Sequence, residues 1–210
     1  MNQNNGKNTL GLDICFEELD NPIDLFKKWF DKAKETEIND PNAVALATCN
    51  KINQSSVRMV LLKGLSNEGF VFYTNFNSRK GNDLKDNQFA SMCFHWKSLR
   101  RQVRVIGEVK KVSEQEADDY YNSRAYESRI SAWASTQSKK METRDLLFKK
   151  INEYKKKYPD DKNVPRPPHW SGWRIHPKEI EFWVDGEFRI HERLNYVLKD
   201  GNWVKEILYP

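Results

Sequence analysis

The chain has 210 residues, with 35 Lys+Arg against 30 Asp+Glu for a formal net charge of +5, and 38% of its residues are hydrophobic. No apolar run approaches the roughly 20 residues that span a bilayer, and the composition also excludes a collagen-like or low-complexity chain. Seven Trp, 8 Tyr and 11 Phe supply apolar area that a disordered chain lacks, so a folded, water-soluble protein is expected.

In chain order, residues 1–20 are Asn-rich and aperiodic and predict a mobile arm. Asn21-Pro22 opens a helix with Leu25, Phe26, Trp29, Phe30 and Ala33 on one stripe. After Asp40-Pro41 come five strand signals at residues 43–49, 55–63, 69–75, 89–96 and 101–112. The first two are joined by a polar turn at 50–54, and the next pair by a turn at 66–69. Short strands at this spacing predict a barrel or sandwich, not a parallel α/β sheet. Ser113 and Glu116 form a capping box that starts another helix. A lysine-rich helix is predicted over 142–157 with Leu146, Leu147, Ile151 and Tyr154 inward. Strands return at 173–176, 179–184 and 188–194, ahead of a hairpin at Asp200-Gly201. Residues 21–210 therefore read as a single domain, mainly β with flanking helices.

Residues 55–111 contain 11 Lys+Arg and 4 Asp+Glu, a local charge of +7 that leaves −2 for the remainder. Such a block suits a nucleic acid, an acidic surface, a small phosphorylated ligand or a solvated face. Three constellations carry chemistry. Tyr120, Arg124 and Ser128 recur every four residues, so on one continuous helix they share a face. A cation with two hydroxyls suits a phosphate monoester, and the alternative is an exposed helix edge. Arg189, His191 and Arg193 alternate along an expected strand and project together on one face, while Ile190 points to the core. Such a trio suits solvent or an anionic or aromatic ligand. The run Arg58–Lys63, then Tyr73-Thr74 and Ser78-Arg79-Lys80-Gly81, puts cations beside a helix start, a reasonable anion site. Gln102 and Gln137-Ser138 add uncharged donors.

Other chemistries fit poorly. P-loop, dinucleotide and G-x-S-x-G spacings are absent, and no RNA- or DNA-binding signature accompanies the basic block. Cys15, Cys49 and Cys93 are odd in number and widely spaced, against a disulfide framework or a zinc site. Cys93 and His95 read as core residues of a strand, and no metal is expected. Without a signal-peptide-like stretch, a cytoplasmic protein is expected.

The ordered motifs RMVLLK (58–63), FYTNFNSRKG (72–81), RQVRVIG (101–107), SRAYESRISAWASTQS (123–138) and IEFWVDGEFRIHER (180–193) resemble the pyridoxamine 5′-phosphate oxidase family of vitamin B6 metabolism. The resemblance implies an FMN-binding split β-barrel that works as a homodimer with two FMN sites at the subunit interface. By that pattern Arg58, Met59, Val60, Leu61, Leu62, Lys63, Tyr73, Thr74, Arg79, Lys80, Gln102, Gln137, Ser138, Trp183 and Arg193 would hold FMN. Lys63, Tyr120, Arg124 and Ser128 would hold the substrate phosphate, with Arg189 and His191 over the pyridine ring as catalytic residues. The implied reaction oxidises pyridoxamine 5′-phosphate and pyridoxine 5′-phosphate to pyridoxal 5′-phosphate, with hydride passing to flavin N5 and O₂ reoxidising the flavin to give hydrogen peroxide. Neither nucleic acid nor membrane is implied as a partner.

This sequence departs from the pattern in three places. Residues 1–20 contain neither the Arg nor the Tyr of the family's M-R-x-x-Y-type segment. The C-terminal R-L-x-P is here Ile207-Leu208-Tyr209-Pro210, and WSGWR (170–174) stands where W-G-G-aromatic-R is usual. These departures motivate the alternative of a non-catalytic split-barrel protein that binds FMN or pyridoxal phosphate.

Overall fold

A computed structural model describes residues 16, 17 and 19–210. Helix α1 (Pro22–Thr36) leads into strands β1 (Ala43–Cys49), β2 (Ser55–Leu61), β3 (Gly64–Ser66) and β4 (Gly69–Asn75). Helix α2 (Arg79–Asp86) precedes β5 (Phe89–Trp96) and β6 (Arg101–Lys111). Helices α3 (Glu114–Asn122), α4 (Tyr126–Ala134) and α5 (Arg144–Lys157) follow, and then β7 (Trp170–Val184), β8 (Glu192–Lys199) and β9 (Asn202–Ile207).

All nine strands join one antiparallel sheet in the order β2-β1-β5-β6-β7-β4-β3, with β8 and β9 continuing from the second half of β7. The period-2 pattern sends Val44 and Leu46, Met92 and Phe94, and Val103 and Val105 to one side. Helix α1 covers that side. Asn21 caps it by accepting the Ile23 N–H at 2.9 Å, and Pro22 fills its first position, where no donor is needed. Its fully buried Phe26 meets the rings of Phe70 and Phe94 edge-on at 4.9 and 5.0 Å. Burying a ring of this kind contributes on the order of 2–3 kcal/mol.

Strand β7 is the longest strand, and it absorbs a proline mid-ladder. Ile106 faces Glu179 while Gly107 faces Pro177, so Lys178 is the extra residue of a β-bulge. Proline has no N–H to give the ladder, and a bulge is one of the few places in a sheet that tolerates it. Gly107 is the matching small residue, because a Cβ there would sit 2.1 Å from the His176 carbonyl oxygen.

The five predicted strands form at 43–49, 55–61, 69–75, 89–96 and 101–111, and the 173–176 and 179–184 segments fuse into β7. Five expectations are corrected. The stretch from Ser113 through Ser128 is two helices, not one, because the chain leaves α3 at Asn122 and re-enters helix at Tyr126. Residues 187–189 make a 3₁₀ turn in which Phe188 and Arg189 have φ of 54° and 64°, so Arg189, His191 and Arg193 do not share one strand. Ile190 is 67% exposed and not in the core. Helix α5 buries none of its residues, and Leu146 faces solvent. On β5, Cys93 is half-buried and His95 exposed, both opposite the core-facing Met92 and Phe94. The predicted arm lies largely outside the described residues, but Phe16 stacks on Trp29 at 6.0 Å and the Leu19 carbonyl accepts the Tyr196 hydroxyl at 2.8 Å.

Because a methyl at position 107 must displace backbone, Gly107→Ala is expected to destabilise the fold by about 1–3 kcal/mol. Urea denaturation would show it as a lower midpoint at unchanged slope, and an unchanged midpoint would mean the bulge yields freely.

Candidate active site

Strands β2 and β4 are far apart in the sheet order, yet Met59, Val60 and Leu61 of β2 share a cavity with Tyr73 and Thr74 of β4. The sheet therefore curls until its two ends border one hollow. That hollow has two lobes, the first of about 420 Å³ and the second of about 380 Å³, which share Met59, Lys80 and Gln137.

The first lobe contains Arg58, Arg79, Lys80 and Ser138. Helix α2 begins here, with the Ser78 hydroxyl accepting the Gly81 N–H at 3.3 Å. Lys80 is buried and donates to Thr74 Oγ1 at 2.8 Å, Gln137 Oε1 at 3.1 Å and Ser78 Oγ at 3.3 Å, all uncharged acceptors. Burial, reinforced by the neighbouring Arg58 guanidinium, pulls its ammonium pKa down to about 8. Arg58 donates to Thr48 Oγ1 at 2.7 Å, Ser56 Oγ at 2.5 Å and the Leu46 carbonyl at 3.1 Å. Both hydroxyls also donate to the buried Asp83 carboxylate, at 2.7 and 3.0 Å, and Asp83 Oδ2 lies 3.8 Å from Arg58 Nη2. Burial lowers the Arg58 pKa, and Asp83 opposes that shift.

Thr48, Ser56 and Asp83 are functional neighbours that motif reading misses. The available signal is Thr48, a polar residue in the inward register of the otherwise apolar AVALATC strand.

The second lobe contains Lys63, Tyr120, Arg124 and Ser128. The three residues expected on one helical face thus reach one cavity by another route: Tyr120 from the last turn of α3, Arg124 from the connection, and Ser128 from the first turn of α4. Tyr73, Tyr120 and Trp170 stand nearly parallel along the same cavity, with Tyr73 and Tyr120 centroids 3.9 Å apart. Burial first, and then the Glu116 carboxylate, push the Tyr73 phenol up to about 12, so it stays protonated. Arg124 Nη1 is buried with no hydrogen-bond partner. Arg129 and Arg174 also leave a buried Nε without a hydrogen bond, but of these three Arg124 is the one that lines the cavity, where an anionic oxygen would complete it.

Of the run 58–63, Leu62 turns its side chain into the core and Val60 packs against the same cluster. The other expected residues stand apart from the hollow, on β6, β7, β8 and the turn between β7 and β8. Gln102 pairs across the ladder with Trp183. The Trp183 ring lies 4.6 Å from that of His191. His191 Nδ1 accepts the Gly186 N–H at 3.2 Å and lies 3.2 Å from Asp185 Oδ1. Arg189 is exposed. Arg193 forms a fork with the buried Glu181 at 2.8 and 3.0 Å, Arg104 also bonds that carboxylate, and Arg193 Nη1 reaches the Tyr209 carbonyl at 2.9 Å.

The donor set fits a ligand carrying a phosphate and a flat conjugated ring. Three cations and a helix start suit the phosphate. β2 is an edge strand, so it offers backbone donors and acceptors to the polar rim of a ring. The second lobe, with two cations and two hydroxyls, has room and chemistry for another phosphate.

Comparison with known proteins agrees with this geometry. The family model described as pyridoxamine 5′-phosphate oxidase matches residues 30–158, and that described as the pyridoxine 5′-phosphate oxidase C-terminal dimerisation region matches 170–210. The pyridoxine/pyridoxamine 5′-phosphate oxidase of Pelagibacter ubique is 61% identical over 98% of this chain and 100% of its own length. That of Agrobacterium fabrum is 53% identical over 93% and 95%. Among solved structures, PhzG from Burkholderia lata in complex with tetrahydrophenazine-1-carboxylic acid superposes with a TM-score of 0.88 at 29% identity, covering 95% of this chain and 99% of that one. A pyridoxamine 5′-phosphate oxidase-related, FMN binding protein from Nostoc punctiforme shares the fold, with a TM-score of 0.70 at 15% identity over 88% of this chain and 97% of that one. On this sequence identity, spread over nearly the whole chain, the protein belongs to the pyridoxamine 5′-phosphate oxidase family.

Proposed function

We propose that the chain is an FMN-dependent oxidase that converts pyridoxamine 5′-phosphate and pyridoxine 5′-phosphate to pyridoxal 5′-phosphate as a homodimer. The observation that carries this reading is the pair of adjoining lobes, each with its own cations, the second holding a buried guanidinium nitrogen without a partner. Two phosphates in one hollow is what a flavin mononucleotide and a phosphorylated substrate require.

In this reading Arg58, Arg79 and Lys80 hold the FMN phosphate. β2, Tyr73, Thr74, Gln137 and Ser138 line its ring, with Leu62 contributing backbone only. Lys63, Tyr120, Arg124 and Ser128 hold the substrate phosphate. That clamp grips ground and transition states alike, so its effect on rate is to place the C4′ carbon at one distance from the acceptor. Bound in the hollow, FMN would supply a two-electron acceptor for hydride from C4′, with O₂ as the terminal oxidant and hydrogen peroxide as its product. The amine substrate leaves as an imine that water hydrolyses to the aldehyde and ammonia, and the alcohol gives the aldehyde directly.

Gln102, Trp183, Arg189, His191 and Arg193 would reach the hollow from a second copy. A dimer is supported by exposed Val57, Met59 and Ile106 on the face of the sheet away from α1, beside a shallow depression of about 350 Å³. The match of 170–210 to a dimerisation region points the same way.

Purified protein is expected to be yellow and dimeric, and to release one peroxide per pyridoxal 5′-phosphate formed. Protein that takes up no FMN, or whose flavin is not bleached anaerobically by pyridoxamine 5′-phosphate, would rule the activity out. Arg189→Ala and His191→Ala are expected to lower turnover by about 10²-fold or more while FMN content stays at wild-type level. Unchanged kinetics would remove them from the site.

Lys80 gives a pH dependence whose sign is fixed. Its pKa of about 8 in the absence of ligand rises when an anionic phosphate arrives, so binding takes up a proton above pH 8. The FMN dissociation constant is expected to increase up to about tenfold per pH unit above that value, since the phosphate itself is already dianionic there. Titration of apoprotein by flavin fluorescence from pH 7 to 10 measures it. The slope is expected to vanish in Lys80→Met, and its persistence there would place the proton elsewhere.

A further inference from the structure

Most partly buried arginines in this molecule are held by acids. Arg166 bonds Glu114 and Asp118, Arg174 bonds Glu68 and Glu116, and Arg193 bonds Glu181. Arg124 is instead packed on an aromatic ring, as Arg101 is on Trp29. Among the described residues Arg124 has no ion pair, and its guanidinium carbon lies 4.6 Å from the centroid of the Trp170 ring and 5.9 Å from that of Tyr121.

Trp170 is itself firmly placed. It is 6% exposed and opens β7 opposite Asn75. Its N–H donates to the Pro167 carbonyl at 3.0 Å, and its carbonyl accepts from Arg166 Nη1 at 2.9 Å. Tyr120 stands nearly parallel to its ring at 6.1 Å and 10°, with Tyr73 at 5.4 Å and 12°.

We propose that Trp170 is the positioning residue of the substrate-phosphate clamp, an aromatic face that fixes the Arg124 guanidinium and backs the Tyr120 ring while spending none of their hydrogen-bonding capacity. This rests on the reading of Arg124 as a phosphate-binding residue. The choice of an aromatic support has a physical reason. A carboxylate would hold the guanidinium at least as firmly, but it would occupy the same N–H groups that the phosphate needs and would repel a dianion. A ring face attracts the cation through its quadrupole and leaves the N–H edge free. The unpartnered Arg124 Nη1 is what such an arrangement leaves behind.

The test uses FMN-loaded protein and two probes, pyridoxal 5′-phosphate and unphosphorylated pyridoxal, whose dissociation constants are measured by absorbance titration. Trp170→Leu is expected to weaken the phosphorylated probe about tenfold and Trp170→Phe about threefold, following the order of ring quadrupoles. Pyridoxal binding and FMN content should stay within twofold of wild type. In turnover, KM for pyridoxamine 5′-phosphate should rise by the same factors with kcat little changed. Trp170→Leu placed on Arg124→Ala should add nothing further.

Arg124→Ala separates the two levels of the argument. If it leaves the phosphorylated probe unaffected, the phosphate reading of this lobe fails. If it weakens that probe while Trp170→Phe and Trp170→Leu do not, the positioning role is overturned. Equal loss of both probes or of FMN in the Trp170 variants, or additivity with Arg124→Ala, would also overturn it by showing a merely structural tryptophan. Should Trp170→Leu not fold, Trp170→Phe carries the same comparison.

Discussion

The way β7 serves β4 and β6 at once is the constraint on which the rest of the molecule depends. Its first residues, Trp170–Ile175, pair with β4, and Trp173–Val184 pair with β6. A strand that must serve both neighbours through a bulge cannot stay flat, and the extra Lys178 increases its local twist. The resulting curl brings the β2 edge across to β4 and makes a hollow where an open sheet would have had two remote edges. The same strand also links the two groups of site residues. Trp170 at its start borders the cavity, whereas Glu181 and Trp183 near its end stand with Arg193 and His191.

Electrostatics in the hollow follow from how each cation is supported. Arg58 has Asp83 as a counter-charge, reached through Thr48 and Ser56, so part of its desolvation cost is offset before any ligand arrives. Lys80 is surrounded by hydroxyl and amide oxygens, which satisfy its N–H groups but not its charge, and burial is therefore the dominant influence on it. Arg124 has aromatic faces. The three supports form a gradient from neutralised to bare cation, and the barest one leaves the strongest demand for an incoming anion.

Much of the architecture was legible because strands announce themselves by alternation. AVALATC and FASMCFHW each form a strand with the predicted ends, since alternate residues must choose between core and solvent, and GFVFYTN, buried on both faces, forms one as an apolar run closed by turn residues. The stripe of α1 was equally plain. What failed was any inference that required local conformation to continue undisturbed. A spacing of four residues implied one helix through Tyr120, Arg124 and Ser128, but the chain turns out of helix between Asn122 and Tyr126. The residue types were informative while the geometry drawn from them was not. Two helix ends converging on a cavity present a cation and hydroxyls as effectively as one helical face would. In the same way, extended alternation through Arg189, Ile190 and His191 was undone by positive φ at Phe188 and Arg189, which places the 90%-exposed Phe188 and Ile190 outside the core.

The charge imbalance of residues 55–111 illustrates why pattern alone could not find the site. Seven of its eleven cations illustrate three fates that sequence does not distinguish. Arg58, Lys63, Arg79 and Lys80 line the hollow. Arg100 and Arg104 are taken by Asp185 and Glu181 from β7 and the turn after it, acids that lie more than 70 residues away in the chain. Lys110 pairs weakly with Glu108 on its own strand. Glu181 neutralises Arg104 on the face of the sheet away from α1, while Lys63, Arg79 and Lys80 in the hollow have no ion pair among the described residues. The local excess of +7 is thus sorted by the fold, with four of its cations gathered around one hollow, and that sorting is a property of strand order, not of composition.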